Sequence, residues 1–192
     1  MKHFITFLVA MSFGFMTQAA DVVTGQTEFK WTGKKVTGQH YGTLPIKDSK
    51  VNEEKGQIVG GEFVLDISKM TVDDLTGEYK TKFINHMKSE DFFQVEKWPT
   101  ARLVVKKMDG KMAYGELTIK DKTHAVNFPY TKKDNVYTGT LKFDRTKYGM
   151  IYGSGNFFKN LGDKLIYNDV TLDFKVTVKT SAKKSLSMNG NK

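Results

Sequence analysis

The chain has 192 residues, 39% hydrophobic and 27% charged, the balance of one globular domain with a sizeable core. It has no cysteine, which excludes disulfides, cysteine-held zinc or iron–sulfur clusters, thiol nucleophiles and a lipidated N-terminal cysteine. The net charge of +9 comes almost wholly from lysine, with Arg102 and Arg145 the only arginines. Lysine alternating along strands describes a solvated sheet face and suits anionic headgroups or polyanions, but the absence of a basic block and the scarcity of base-reading arginine argue against nucleic acid.

Lys2 precedes an uncharged run from Phe4 to Met16, followed by small residues at Thr17 and Ala19. About a dozen apolar residues match the core of a signal peptide and are too few to span a bilayer. Residues 1–19 are therefore read as a signal peptide cleaved after Ala19, with an uncleaved anchor as the alternative. No later segment is apolar enough to cross a membrane. The mature chain is expected to be exported, in the periplasm or outside the cell.

A first strand is expected over residues 22–34, with Phe29 and Trp31 on one face. Residues 40–51 and 57–67 read as two strands around a polar turn, with Val59, Phe63, Leu65 and Ile67 sharing a face. Gly60-Gly61 inside the second marks a bulge or close backbone approach. Tyr79, Phe83 and Met87, with Ile84 beside them, form an apolar stripe at helical spacing. Thr76 is placed to cap that helix, and Glu78 and Lys82 to pair across one turn. Phe92 and Phe93 are adjacent and leave the stripe, and Pro99 forces Trp98 into an extended conformation.

Hairpins follow over residues 102–108 and 112–121 around Asp109-Gly110, and over 122–131 and 135–145. Residues 148–163 read as a glycine-rich loop with a helical turn near 157–161. In the last strand Ile166, Val170, Leu172, Phe174, Val176 and Val178 face one way, while Tyr167, Asp169, Thr171, Asp173, Lys175 and Lys179 face the other. Residues 181–192 form a polar tail expected to be disordered. The fold expected over 20–180 is mainly β: a single eight-stranded antiparallel barrel, lipocalin-like, with one inserted α-helix capping an end. Such a barrel encloses room for one small ligand.

No catalytic motif stands out. Gly153-Ser154-Gly155 lacks the surroundings of a nucleophile elbow, and Gly33-Lys34-Lys35 lacks the rest of a phosphate-binding loop. His40, His86 and His124 have no ligand spacing, so structural histidines are the simpler reading and no metal is expected. Phe92, Phe93 and Trp98 read first as core residues, with a pocket-lining role open. Arg145 reads first as the partner of a carboxylate; its functional reading is a grip on a diphosphate or other polar head.

His86-Met87-Lys88-Ser89-Glu90-Asp91-Phe92-Phe93 with Trp98-Pro99-Thr100-Ala101 resembles the H-L-K-S-x-D-F-F…(Y/W)-P-x-A signature of the YceI-like family. Trp31, Gln39-His40-Tyr41-Gly42, Gly60-Gly61-Glu62-Phe63, the run from Gly115 to Lys120 and Asp144-Arg145-Thr146 with Tyr148-Gly149 follow in family order. The likeness covers residues 24–179 and departs at Met87 and Asp121. It implies an exported lipocalin-like barrel that sequesters or carries a polyisoprenoid, such as a quinone or prenyl diphosphate. A fatty acid or fatty amide in the same tunnel is a related alternative. Together with the local reading, it makes Trp31, His40, Phe63, Phe83 and Met87 expected ligand contacts, along with Phe92, Phe93, Trp98 and Arg145. No cofactor and no catalytic residue are expected. The rivals are a lipid-modifying enzyme using His40 or His86 and a lysine-rich binder of acidic polymers. Oligomeric state stays open, a homodimer included. Burying one isoprene unit is worth roughly 4 kcal/mol at about 0.8 per carbon, so tight binding needs no headgroup chemistry.

Overall fold

Apolar residues at every second position, interrupted by short turns, make most of the described chain outside residues 67–99 and 145–165 into sheet. The computed structural model describes residues 18–55 and 57–179. In chain order the strands are β1 (Gln18–Ala20), β2 (Glu28–Lys35), β3 (Gly38–Thr43), β4 (Ile46–Glu54) and β5 (Gln57–Asp66). After helix α1 (Gly77–Lys88) come β6 (Thr100–Met108), β7 (Met112–Ile119), β8 (Lys122–Lys133), β9 (Val136–Asp144) and β10 (Ile166–Thr177). They form one antiparallel sheet in the order β1-β4-β5-β6-β7-β8-β9-β10-β2-β3, curled around an apolar interior.

The expected eight-stranded closed barrel is corrected to ten strands in a curled sheet whose ladder stays open at β1 and β3. Pro45 breaks the strand expected over 40–51, so its first half pairs with β2 and its second with β5, on opposite sides of the opening. Gln18–Ala20 adds the tenth strand, paired with β4. The opening is stitched nonetheless. The Leu44 amide donates to Phe29 and the Asp66 amide to Pro45. At the other end the chain leaves β1 and reaches β10, where Val23 donates to Thr177 and Lys179 to Asp21.

The sheet turns its corner along β8. Residues up to Pro129 pair with β7, and Tyr130 onward pairs with β9. Pro129 has no amide for the ladder, and a Cβ on Gly139 would lie 2.3 Å from its carbonyl oxygen, so only glycine permits this approach. At Gly60-Gly61 the bulge is present, with a register shift between Asn52 and Glu53. It places Ile58, rather than Val59, on the buried face with Phe63.

Helix α1 begins where expected, and Glu78 pairs with Lys82 at 2.6 Å. Thr76 occupies the N-cap position but its side chain makes no capping bond. The stripe is shorter than expected: Tyr79 is 77% exposed, while Phe83, Ile84 and Met87 pack on the core. The helix lies across one end of the curl and touches it only with its C-terminal half. In the segment before β10, the short helical turn falls at Gly162–Lys164 rather than over 157–161. Residues 1–17, expected to belong to a signal peptide, and the tail from 181 lie outside the described residues.

The alternation of β10 stands as read: Leu172, Val176 and Val178 are buried, and Lys175 is exposed. Val176→Asp places an uncompensated charge inside and is expected to cost about 4 kcal/mol or more. Lys175→Asp is expected to cost about 1 kcal/mol or less, even with Glu28 across the ladder. Melting temperatures of the two variants check this; equal values overturn the inside–outside assignment.

Candidate functional site

The signature segment owes its shape to four side chains. Ser89 ends α1, its hydroxyl donating to the His86 carbonyl at 2.8 Å. The chain then doubles back: Phe93 donates to Met87 and Val95 to Lys88, with Gln94 in the left-handed region at φ 49. Asp91 meets the His86 ring at 3.0 Å, and Lys120 donates to the Phe92 carbonyl at 3.2 Å. The turn so held drives Phe92 into the core and sets Phe93 beside Met87 against the interior.

Beneath this roof lies an apolar cleft. Its volume is about 120 Å³. Trp31, Leu65, Leu117, Ile119 and Leu172 form the sheet side, and Phe83, Met87 and Phe93 the helix side. Trp31 and Phe83 stack across it with centroids 6.1 Å apart and planes within 5°. A smaller cavity of about 40 Å³ continues deeper in the curl, lined by Phe29, Ile58, Phe63, Phe128 and Tyr137. The Phe29 ring, 6.0 Å from Phe63 and 6.5 Å from Phe174, lines this deeper cavity two residues along β2 from Trp31 of the first cleft.

Polar groups reach the first cleft at few points. His40 lines it with its ring 4.6 Å from Phe83, and its Nδ1 lies 2.7 Å from Asp74. With Nδ1–H given to Asp74, the neutral ring keeps Nε2 as an acceptor. Asp74 also accepts from the Tyr41 amide at 3.0 Å. Burial pushes the Asp74 carboxyl up, but the Tyr41 amide and His40 outweigh it and hold it below its ordinary value of 3.8. Lys34 and Lys35 contribute to the rim.

Arg145 is buried, 3% exposed, and lines the same cleft. The expected carboxylate partner is replaced by backbone: the guanidinium donates to the carbonyls of Met150, Ile166 and Tyr167. Burial pushes it below its ordinary value, with Asp144 opposing. Its role here is to pin the turn at 145–150 to the start of β10.

Of the residues singled out from sequence, Trp31, His40, Phe83, Met87, Phe92, Phe93 and Arg145 converge on the first cleft. Phe63 belongs to the deeper cavity. Trp98 reaches neither; it is half-buried, with the Lys97 ammonium 5.1 Å from its ring centroid. His86 faces Asp91, Phe92 and Tyr152, and His124 lies 3.1 Å from the Lys147 carbonyl. Among the described residues no group of three or more His, Asp or Glu could hold a metal ion. Sequence reasoning missed Lys34, Lys35, Met70, Met150 and Tyr167 as wall residues. Phe143 was legible from the alternation of β9, whereas Met70 and Met150 sit in irregular segments with no period to betray them.

The family model of the YceI-like domain matches residues 13–178. The chain belongs to the YceI-like domain family. No curated protein matches it. Among solved structures, BcnA of Burkholderia cenocepacia is similar at a TM-score of 0.65 and 19% identity, covering 83% of this chain and 100% of that one. A polyisoprenoid-binding domain from Saccharophagus degradans, implicated in plant cell wall breakdown, is similar at 0.59 and 10% identity, covering 86% and 99%. The YceI protein of Campylobacter jejuni follows at 0.50 and 16%, covering 71% and 84%. At these identities the structures attest the fold.

The Asp74 bonds carry a pH dependence. A carboxyl depressed in the folded state stabilises above its unfolded value and loses that contribution as pH falls through the folded one. Asp74→Asn is therefore expected to be less stable at neutral pH and to lose less stability than the parent as pH drops below about 4. Denaturant midpoints measured from neutral to acid pH check this; parallel curves for the two proteins overturn it.

Proposed function

We propose that this YceI-like protein binds a polyisoprenoid, a quinone or a prenyl diphosphate, and carries or sequesters it outside the cytoplasm. The observation that carries the reading is the apolar cleft between the curled sheet and α1, continued by a second cavity at the Phe29–Phe63 level. Pockets that enclose small ligands run roughly 300–1,000 Å³, so a chain of several isoprene units enters only if side chains of the roof or the deeper cavity move. Phe83, Met87 and Phe93 on the roof and Phe29 in the deeper cavity are the groups to give way. Arg145 already serves three carbonyls, so His40 and the rim lysines are better placed to meet a polar head. A fatty acid or fatty amide suits the same walls.

Extraction of the purified protein followed by mass spectrometry is expected to yield a chemically unchanged isoprenoid. A fatty acyl lipid instead selects the alternative cargo, and repeated absence of any lipid overturns the carrier reading. Phe93→Leu is expected to speed lipid release from protein that stays folded; an unchanged off-rate there and at Phe83 and Met87 reduces the roof to ordinary core.

The His40–Asp74 pair favours one rival, a lipid-modifying enzyme, because a carboxylate-oriented imidazole at a cavity wall is the arrangement of a general base. We infer binding without turnover, since among the described residues the bonds of the pair run to each other and to the Tyr41 amide rather than to a hydroxyl that it could activate. Conversion of the extracted lipid by the parent protein, lost in His40→Ala, reverses that choice.

Export is part of the proposal. Cleavage after Ala19 removes Gln18 and Ala19 from β1 and leaves Ala20, paired with Val51, as the first residue. The intact mass of protein recovered from the periplasm or medium is expected to correspond to residues 20–192; a mass that includes Met1 overturns the cleavage.

A further inference from the structure

The end of the curl roofed by α1 carries apolar side chains that no packing explains. Residues 149–165 loop out between β9 and β10, held by Ser154, whose hydroxyl donates to Asn168 at 2.8 Å, and by the Ile166 amide bonding the Gly153 carbonyl. From this anchored base Phe157 stands 56% exposed and Phe158 44% exposed. Ile151 and Tyr152 are exposed beside them. Val36 joins the group from the β2–β3 turn, its amide bonded to Leu165, and Tyr167 joins from β10.

Two residues of this group, Tyr152 and Tyr167, reach the first cleft. Tyr152 lies edge-on to His86 at 4.6 Å and 5.8 Å from Phe92, while Ile166 and Tyr167 are themselves wall residues. Lys34 and Lys35 flank the patch from β2, and Lys159 and Lys164 from the loop; Asp163 lies in the loop, and Asp144 and Asp169 share the surface around Lys34 and Tyr167. None of the four lysines forms an ion pair among the described residues. The described chain ends leave from the other end of the sheet. Gln18 pairs with Glu53 and Thr177 with Val136, beside the deeper cavity.

The geometry points to a membrane-docking surface: Phe157, Phe158, Ile151 and Tyr152 enter the interface of a bilayer while Lys34, Lys35, Lys159 and Lys164 meet anionic headgroups. Aromatic tips ringed by lysine are the composition of interfacial anchors, where apolar area and attraction to anionic lipid act together. A protein partner is the poorer fit, because lysine is depleted in protein interfaces, where arginine is enriched. An exposed apolar patch of this kind marks a contact surface rather than surface noise. Docking here opens the mouth of the cleft onto the bilayer, so an apolar cargo passes between them without crossing water. That purpose rests on the lipid-carrying reading; the surface does not.

The test is flotation of the full chain, as recovered from the producing cell, with vesicles of phosphatidylcholine alone or mixed with phosphatidylglycerol. The parent is expected to float with the mixed vesicles and to release as salt rises. Phe157→Ser with Phe158→Ser is expected to lower that partition about tenfold or more with an unchanged melting temperature, since both rings are exposed. Lys159→Gln with Lys164→Gln is expected to weaken binding to the mixed vesicles only. Equal flotation of parent and the phenylalanine variant overturns the proposal, leaving diffuse basic charge as the cause. So does a parent that fails to float, or a parent dimer that the phenylalanine variant turns monomeric in light scattering, which makes the patch a self-interface. Extracting lipid from the same samples separates the two ideas: cargo without flotation leaves the carrier reading intact and removes this one.

Discussion

Strand β3 ends one side of the sheet, and its outward amides and carbonyls need partners that no further strand provides. Residues 71–74 meet that need. Thr71 donates to Thr43, Asp73 donates to Tyr41, the Thr71 hydroxyl receives the Thr43 amide and Asp74 receives the Tyr41 amide. The Thr71 carbonyl then takes the Trp31 indole N–H at 3.0 Å, which fixes the ring that stacks on Phe83. Asp74 also takes His40. One short strap thus satisfies an open edge, orients the largest ring of the cleft and sets the single imidazole at its wall. A Cβ on Gly42 would lie 2.1 Å from the Thr71 carbonyl oxygen, so the strap seats only because position 42 has no side chain.

The roof is held from the other direction. Helix α1 has no fully buried residue, and a helix this short is marginal by itself in water. Its position follows from the turn after it, where Ser89, Asp91 and Phe92 each close one contact, and from the three side chains it lays on the core. A lid attached by few apolar contacts opens at less cost than a core strand, which suits a cleft whose present width is small.

Arg145 shows how a buried charge is accommodated without an acid. Three carbonyl dipoles surround the guanidinium, and its central carbon lies 5.9 Å from the Phe92 ring centroid. The arrangement ties the loop that bears Phe157 and Phe158 to the body of the sheet, so the exposed aromatics stand on a rigid base. The two ends of the curl differ accordingly: chain ends and compact aromatic packing at one, the cleft mouth with its lysines and exposed rings at the other.

Local chemistry determined much of this. Strict alternation assigned the faces of β10, Asp109-Gly110 marked its hairpin, and the stripe of Tyr79, Phe83 and Met87 with the two phenylalanines after it placed a helix over the interior, although Tyr79 itself is exposed. The signature residues pointed to the family and to most of the first cleft. Tertiary structure alone decided the rest. Whether the strands close is a matter of long-range pairing, and Pro45 sends β3 and β4 to opposite sides of an opening that periodicity cannot register. Phe63 went to the deeper cavity because a residue's level along the curl depends on register, not on its type, and Trp98, in the turn before β6, is half-buried away from both cavities. Arg145 found carbonyls instead of a carboxylate because residues 150, 166 and 167 meet it only once the loop has folded back. Residues 157–161 read in sequence as a helical turn; only the folded loop, anchored through Ser154, leaves Phe157 and Phe158 exposed together.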